Sequence, residues 1–293
     1  MDKIIDNAII DPYFSSYEKF FDHDWAATIL AAVKDSTLEN AVNGLMVAWR
    51  STNGAHILPS HMVESLRRYA ESKMEASLHS RERYSELVIE VIAGTLVDRM
   101  QCELTHEQTR SLKLAVAEIE GEVRKSMKSN QQRGQFDVAQ YWESLVNHSE
   151  FRFSILGTQR INYGALFFAY EDFIANVIRT KDFAYTSKGA NNQIDKVFPK
   201  HFGTSLGNLC WNDDEVQLAK LVRNALVHNG GRFGEDLEKF RSRFVTVTQL
   251  DNALLCGEKF NLVNNKIQIM PDNTRYLFCV LKERVTRIVD EVK

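Results

Sequence analysis

The sequence predicts an all-α protein with a minor β-hairpin. Glycine and proline are scarce, at 14 and 4 of 293 residues, which favours long helices over loop-rich architectures. Apolar residues recur at three- and four-residue steps along most of the chain, a spacing typical of helices, whereas β-branched segments are short and lie near the C-terminus. With 44% hydrophobic and 26% charged residues, the composition is that of a globular protein with a sizeable core.

The chain is predicted to consist of two domains, because one domain typically spans roughly 150 residues. The polar, aperiodic segment KSNQQRGQ, residues 128–135, is the candidate linker. Residues 1–134 then form a mainly helical N-terminal region of unassigned role, and residues 135–293 form a second helical domain.

Two helices of the first region have clear signals. Residues 83–100 carry an apolar stripe at helical spacing. Thr105 and Gln108 have the spacing of a capping box, which predicts that another helix begins there. The segment NGLMVAW, residues 43–49, fits a strand or a helix equally well.

The second domain is predicted to contain four helices and one long loop. The helices are expected over 137–157, over 163–180, over 213–228 and from Pro271 onward, and the loop, with a short helix at most, is expected over 181–210. Asn212 is the predicted N-cap of the third helix, and Gly230 and Gly231 are predicted to end it.

The β signals lie between the last two helices. FVTVT, residues 244–248, is β-branched. The short runs 260–263 and 267–269 flank Asn-Asn-Lys, which predicts a small hairpin.

The composition indicates a soluble cytoplasmic protein that does not enter membranes. Its four cysteines form no CxxC pair, which fits a reducing compartment. No apolar stretch approaches the roughly 20 residues needed to span a bilayer, and the N-terminus lacks a basic signal region. The net charge of −3 does not suggest a general polyanion binder. Glycine-loop, HExxH and GxSxG motifs are missing, so no cofactor and no metal ion are expected.

The helix predicted over 213–228 ends in LVRNALVHNGG and brings three polar side chains close together. Asn224 and His228 are four residues apart and share a helix face. Arg223 precedes Asn224 and lies about 100° from it around the helix. A guanidinium, an amide and an imidazole therefore crowd the end of one helix.

This combination suits cleavage of an RNA phosphodiester. Histidine titrates near neutral pH and is stabilised as a cation at a helix C-terminus, so His228 can act as acid or base. Arg223 can bind a phosphate bidentately and stabilise developing charge. The 2′-hydroxyl would then attack the adjacent phosphorus without a metal. The structural alternative is that His228 only caps the helix and Arg223 is solvated.

A carboxylate in the preceding helix supports the functional interpretation. Glu171 lies on or beside the apolar stripe of Phe167, Tyr170 and Ile174, where a charge is costly unless it is paired. Arg223 is the candidate partner. The alternative is a structural ion pair at the edge of the stripe. The aromatic residues 167, 168, 170 and 173 are expected in the core.

The segments GALFFAYEDFIANVI, LVRNALVHNGG and FNLVNNKIQIMPDNTRYLFCVLKERV together resemble the HEPN superfamily of small helical domains. The resemblance covers roughly 135–293, and its most specific part is Arg-Asn-x-x-x-His, formed here by Arg223, Asn224 and His228. Gly230 stands where some toxin members have a tyrosine that a partner enzyme modifies.

The resemblance implies a metal-independent endoribonuclease, a toxin or phage-defence effector that acts as a homodimer with its helices facing across a shared cleft. Arg223 would then bind the scissile phosphate, and His228 would be the acid or base. Asn224 would orient His228 or the phosphate, and Glu171 would position Arg223. The expected partners are an RNA substrate, a second copy, and an antitoxin or regulatory protein. Other HEPN domains are non-catalytic modules that bind nucleotide, RNA or protein, and this alternative stays open.

Overall fold

Helices account for most of the computed structural model, which describes residues 17–100, 104–128, 149–186, 193–248 and 258–293. This confirms the predicted all-α class. Within these ranges the α-helices are α1 (His23–Val33), α2 (Glu39–Met100), α3 (His106–Lys128), α4 (Ser149–Arg179), α5 (Ile194–Phe202), α6 (Thr204–Cys210), α7 (Asp214–His228) and α8 (Pro271–Val292). A 3₁₀ helix spans Glu235–Arg243. The segment 43–49, which fitted either a strand or a helix, is helical.

A small sheet of three strands follows the 3₁₀ helix. Its strands are β1 (Phe244–Thr246), β2 (Phe260–Val263) and β3 (Lys266–Gln268), of which β1 pairs in parallel and β3 antiparallel with β2. Asn264 and Asn265 join β2 to β3 with φ angles of 52° and 58°. A two-residue hairpin turn of this kind requires positive φ, which asparagine tolerates. The predicted hairpin is confirmed.

The described residues group into two compact units, and they divide the chain differently from the predicted boundary at 134/135. One unit comprises residues 62–144 and the other combines 6–61 with 145–293, as far as each is described. The reason for the difference is that the segment before residue 62 belongs to the core of the C-terminal half. The predicted linker 128–135 lies, beyond Lys128, outside the described residues.

Aromatic packing joins the N-terminal segment to that core. Trp49 is fully buried, and its indole N–H donates to the carbonyl of Leu166 on α4 at 3.1 Å. The indole of Trp25 donates to the hydroxyl of Thr286 on α8 at 2.9 Å. The Phe278 ring lies 5.2 Å from the Trp49 ring, centroid to centroid. These contacts explain why α1 and the start of α2 pack with the C-terminal half.

In the smaller unit, the predicted capping box is confirmed, because the Thr105 and Gln108 side chains bind each other's main-chain N–H groups at 3.3 and 2.9 Å. The apolar stripe of residues 83–100 is helical, yet Leu87 and Val91 are 62% and 60% exposed. The apolar periodicity therefore predicts the helix correctly, but it does not predict that these two side chains are exposed.

Two local predictions in the larger unit are wrong. The N-cap of α7 is Asp213, not Asn212, because the Asp213 carboxylate accepts the Glu215 main-chain N–H at 3.2 Å. The predicted loop over 181–210 instead contains α5 and α6, which bury Phe198 and Cys210 in the core.

Candidate active site at the end of helix α7

The position of helix α7 is set by its buried face and by its ends. Its buried apolar residues recur at helical spacing; they include Val216, Ala219, Val222 and Leu226. Beyond His228 the chain turns back through Gly230 and Gly231, whose φ angles are 61° and 81°. The Gly231 N–H donates to the Ala225 carbonyl at 2.8 Å and so closes the last turn. The predicted glycine stop is confirmed.

Arg223 is a buried cation held by a carboxylate from α4. It is 8% exposed, and one terminal nitrogen of its guanidinium donates to Glu171. The predicted pairing of these two residues is therefore confirmed. A buried charge without a partner is costly. Glu171 therefore compensates the charge of the guanidinium and also sets its orientation.

The guanidinium has two further neighbours. Its other terminal nitrogen donates to the side-chain oxygen of Asn224 at 2.8 Å. Its Cζ lies 4.1 Å from the ring centre of Phe168, which places the cation over the aromatic face. The Nε–H of Arg223 is buried and has no hydrogen-bond partner. This buried donor is therefore unsatisfied.

His228 stands apart from this network. It is exposed at the last residue of α7, five residues and about 7.5 Å along the helix axis beyond Arg223. Among the described residues it has no hydrogen-bond or ion-pair partner. The fold thus brings together Arg223, Asn224 and Glu171 and leaves His228 accessible. Asn224 binds Arg223, whereas the sequence led us to expect contact with His228 or a phosphate.

The sequence predicts the wrong environment for one neighbour of the site, Phe168, and does not indicate another, Arg160. Phe167, Tyr170 and Phe173 are buried as expected, but Phe168 is 48% exposed beside Arg223. Arg160 on α4 donates to the Leu226 carbonyl at 3.4 Å, two residues before His228. No local signal marks Arg160, because 66 residues separate it from Leu226. The exposure of Phe168 cannot be read from a run of adjacent apolar residues.

Within the described part of the chain, no cluster of three or more His, Cys, Asp or Glu side chains is placed to hold a metal ion. No helix found there has the length and apolarity to cross a membrane. No protein-family model, curated protein or solved structure matches the chain. The resemblance to HEPN domains therefore depends on the sequence segments themselves, above all on Arg223, Asn224 and His228.

Proposed function

We propose that the protein is a metal-independent endoribonuclease of the HEPN type, acting in the cytoplasm as a toxin or phage-defence effector. One observation carries the proposal: a buried, ion-paired Arg223 precedes an exposed, unpartnered His228 by five residues on one helix. A cation held in place and a free imidazole are the two groups that this reaction needs. An antitoxin or another regulatory protein is the expected means of control.

In the proposed reaction, His228 takes the proton from a ribose 2′-hydroxyl. The 2′-oxygen bonds to the adjacent phosphorus, and the bond from phosphorus to the 5′-oxygen breaks. The departing 5′-oxygen takes a proton from an imidazolium, so the products are a 2′,3′-cyclic phosphate and a 5′-hydroxyl. Arg223 stabilises the negative charge that grows on the phosphoryl oxygens. Its orientation by Glu171 supports this role.

We infer that two copies form the active cleft, each contributing one α7. Exposed apolar side chains on α4 and α7 support this, since Ile161, Phe168 and Val227 are 72%, 48% and 52% exposed. Val227 directly precedes His228, so an interface that covers it would bring two imidazoles together. Val227→Asp should reduce both self-association, measured by analytical ultracentrifugation, and cleavage. Leu209→Asp, an exposed leucine on α6, is the control.

The main experiment is RNA cleavage by the purified chain in excess chelator, with end-group analysis of the products. His228→Ala should lower the rate at least about 100-fold without unfolding the protein. His201→Ala is the matched control, because His201 also lies in the last turn of a helix, α5. Arg223→Lys tests the cation while preserving the charge in the core. Equal cleavage by wild type and His228→Ala would refute the proposal.

A second candidate is a non-catalytic module that binds nucleotide, RNA or protein. The observation in its favour is that Arg223 has its terminal nitrogens bound by Glu171 and Asn224, as in a structural ion pair. This candidate predicts RNA or nucleotide binding that His228→Ala leaves intact, together with no cleavage by the wild type.

A further inference from the structure

We propose that Arg160, Arg232 and Lys266, here called the basic cluster, bind the backbone phosphates of single-stranded RNA beside His228. The inference rests on the proposed function and assigns the part of the same site that holds the substrate. Its residues come from three separate elements, which are α4, the turn after α7 and the first position of β3.

Main-chain pairing brings Arg232 and Lys266 together. Arg232 and Lys266 face each other in an isolated antiparallel bridge. The bridge is reinforced on both sides, because Ile267 N–H donates to the Gly231 carbonyl at 2.7 Å and Phe233 N–H donates to the Asn265 carbonyl at 3.0 Å. Residues directly opposite in such a pair point to the same face, with Cβ atoms about 5 Å apart.

Two like charges placed directly opposite each other destabilise a strand pair. Both Arg232 and Lys266 are exposed, and neither has an acidic partner among the described residues. The nearest acidic residues along the chain are Glu235 and Asp236, and neither forms an ion pair with the cluster. A polyanion that binds between the two cations would offset their repulsion.

Arg160 adds a third cation at the end of α7, where the chain turns through Gly231. Its Nη2 donates to the Leu226 carbonyl, and it lies 3.1 Å from the position that a Cβ at residue 231 would occupy. Glycine at 231 therefore leaves the space that the guanidinium uses. The C-terminus of a helix carries partial negative charge and would repel a phosphate. Arg160 offsets that charge where the chain leaves α7, close to His228.

Three other arginines at α7 are each paired with an acidic residue, unlike the basic cluster. Arg223 pairs with Glu171, Arg243 with Glu215, and Arg284 with Asp213. Those pairs lie along α7 or at its beginning, whereas the cluster lies at its end. RNA phosphates on either side of the cleaved linkage are the anions that this position fits.

The test is RNA binding by the full chain carrying His228→Ala, which keeps the substrate intact. A fluorescein-labelled single-stranded oligouridylate is titrated over a range of salt concentrations. Adding Arg232→Gln or Lys266→Gln should each lower the slope of log Kd against log salt by about 0.7, and the double variant should lower it by about 1.4. Lys34→Gln and Lys239→Gln, two exposed lysines of the same unit, should leave the slope unchanged.

The outcomes separate this inference from the nuclease itself. An unchanged slope in the double variant overturns the basic cluster, even if the wild type cleaves the same RNA. A slope that depends on the cluster supports it, even if the wild type does not cleave, and only catalysis then fails. Absence of salt-dependent RNA binding, or binding of phosphatidylserine vesicles in its place, also overturns it. Arg160→Gln should lower the slope as well, but it also removes a helix-capping contact, so the other two variants decide.

Discussion

Charged side chains at the beginning of helix α7 are paired with opposite charges, whereas those at its end are not. At the beginning, Asp213 caps the helix and also accepts a hydrogen bond from Arg284 at 3.0 Å, and Glu215 pairs with Arg243. Every one of these charged groups has an opposite charge beside it. At the end, the basic cluster gathers positive charge beside His228, and no acid of the described residues pairs with its side chains.

This difference separates polar groups that hold the fold from polar groups that are free to act. A paired and partly buried charge contributes mainly to stability, and its removal should be felt in unfolding experiments. An exposed charge without a partner contributes little to stability. Its position is better explained by a ligand, and its removal should be felt in binding or catalysis.

The largest effect on stability is expected at the beginning of α7. Asp213→Ala removes the N-cap and one of the two carboxylates that pair with the buried Arg284, so that only Glu283, at 2.7 Å, is left. We expect a loss of about 3 kcal/mol in the free energy of unfolding, measured by urea denaturation. Asp214→Ala, one residue on and exposed, is the control and should cost no more than about 0.5 kcal/mol. Similar losses in both variants would show that the Arg284 pair is not what stabilises this end.

The next effect tests the buried side chain of His56, which packs against two aromatic rings. His56 is fully buried against Tyr17 and Phe20, and neither ring nitrogen makes a hydrogen bond, although Gln159 lies beside it. Burial lowers the pKa of His56 from 6.5 to about 4, so the folded protein keeps it neutral. The unfolded chain takes up the proton below pH 6.5, and stability is therefore lost as the pH falls from 6.5 towards 4.

Between pH 7 and pH 4.5 the contribution of His56 should amount to about 2 kcal/mol of lost stability. His56→Leu removes the titrating group and should flatten the pH dependence by that amount relative to wild type. The measurement is urea unfolding at both pH values, and parallel curves for wild type and His56→Leu would contradict the assignment.

Local features of this site could be predicted from sequence, and distant ones could not. The Gly230–Gly231 stop and the hairpin depend on neighbouring residues. The pairing of Glu171 with Arg223 was predictable because a carboxylate on an apolar stripe demands a cation. Arg160, by contrast, contacts Leu226 only because α4 packs against α7, and nothing in the surrounding sequence fixes that packing.

The same distinction between local and distant contacts explains why the two units do not divide at the predicted boundary 134/135. A polar segment at 128–135 is typical of a linker, whereas the burial of Trp49 against Leu166 joins residues that are 117 positions apart. Periodicity identifies a helix but not its partner, so it cannot assign α1 to the C-terminal half. Periodicity also predicts burial for every apolar residue of a stripe. It therefore does not identify the exposed ones, such as Leu87.

The middle of α7 should give an intermediate effect on stability. Glu171→Ala leaves the guanidinium of Arg223 buried among Asn224 and the rings of Phe167 and Phe168, without a carboxylate. We expect a loss of about 1.5 kcal/mol, smaller than at Asp213 because Asp213 also caps the helix whereas Glu171 does not. Glu171→Gln keeps a hydrogen-bond acceptor and should lose less. If cleavage falls further than stability in both variants, Glu171 positions Arg223 for catalysis and does not only hold the fold.

The smallest expected change in the free energy of unfolding is a gain in stability. Lys266→Glu places a carboxylate directly opposite Arg232 in the bridge and turns a repulsive pair into an attractive one. The variant should be more stable than wild type by about 0.5 kcal/mol, measured by urea unfolding, while its affinity for RNA falls. Lys259→Glu, an exposed lysine just before β2, should change neither quantity appreciably. A variant that gains stability and loses RNA affinity shows that this end of α7 keeps its positive charge at the expense of the fold. A loss of both would instead make Lys266 a structural residue.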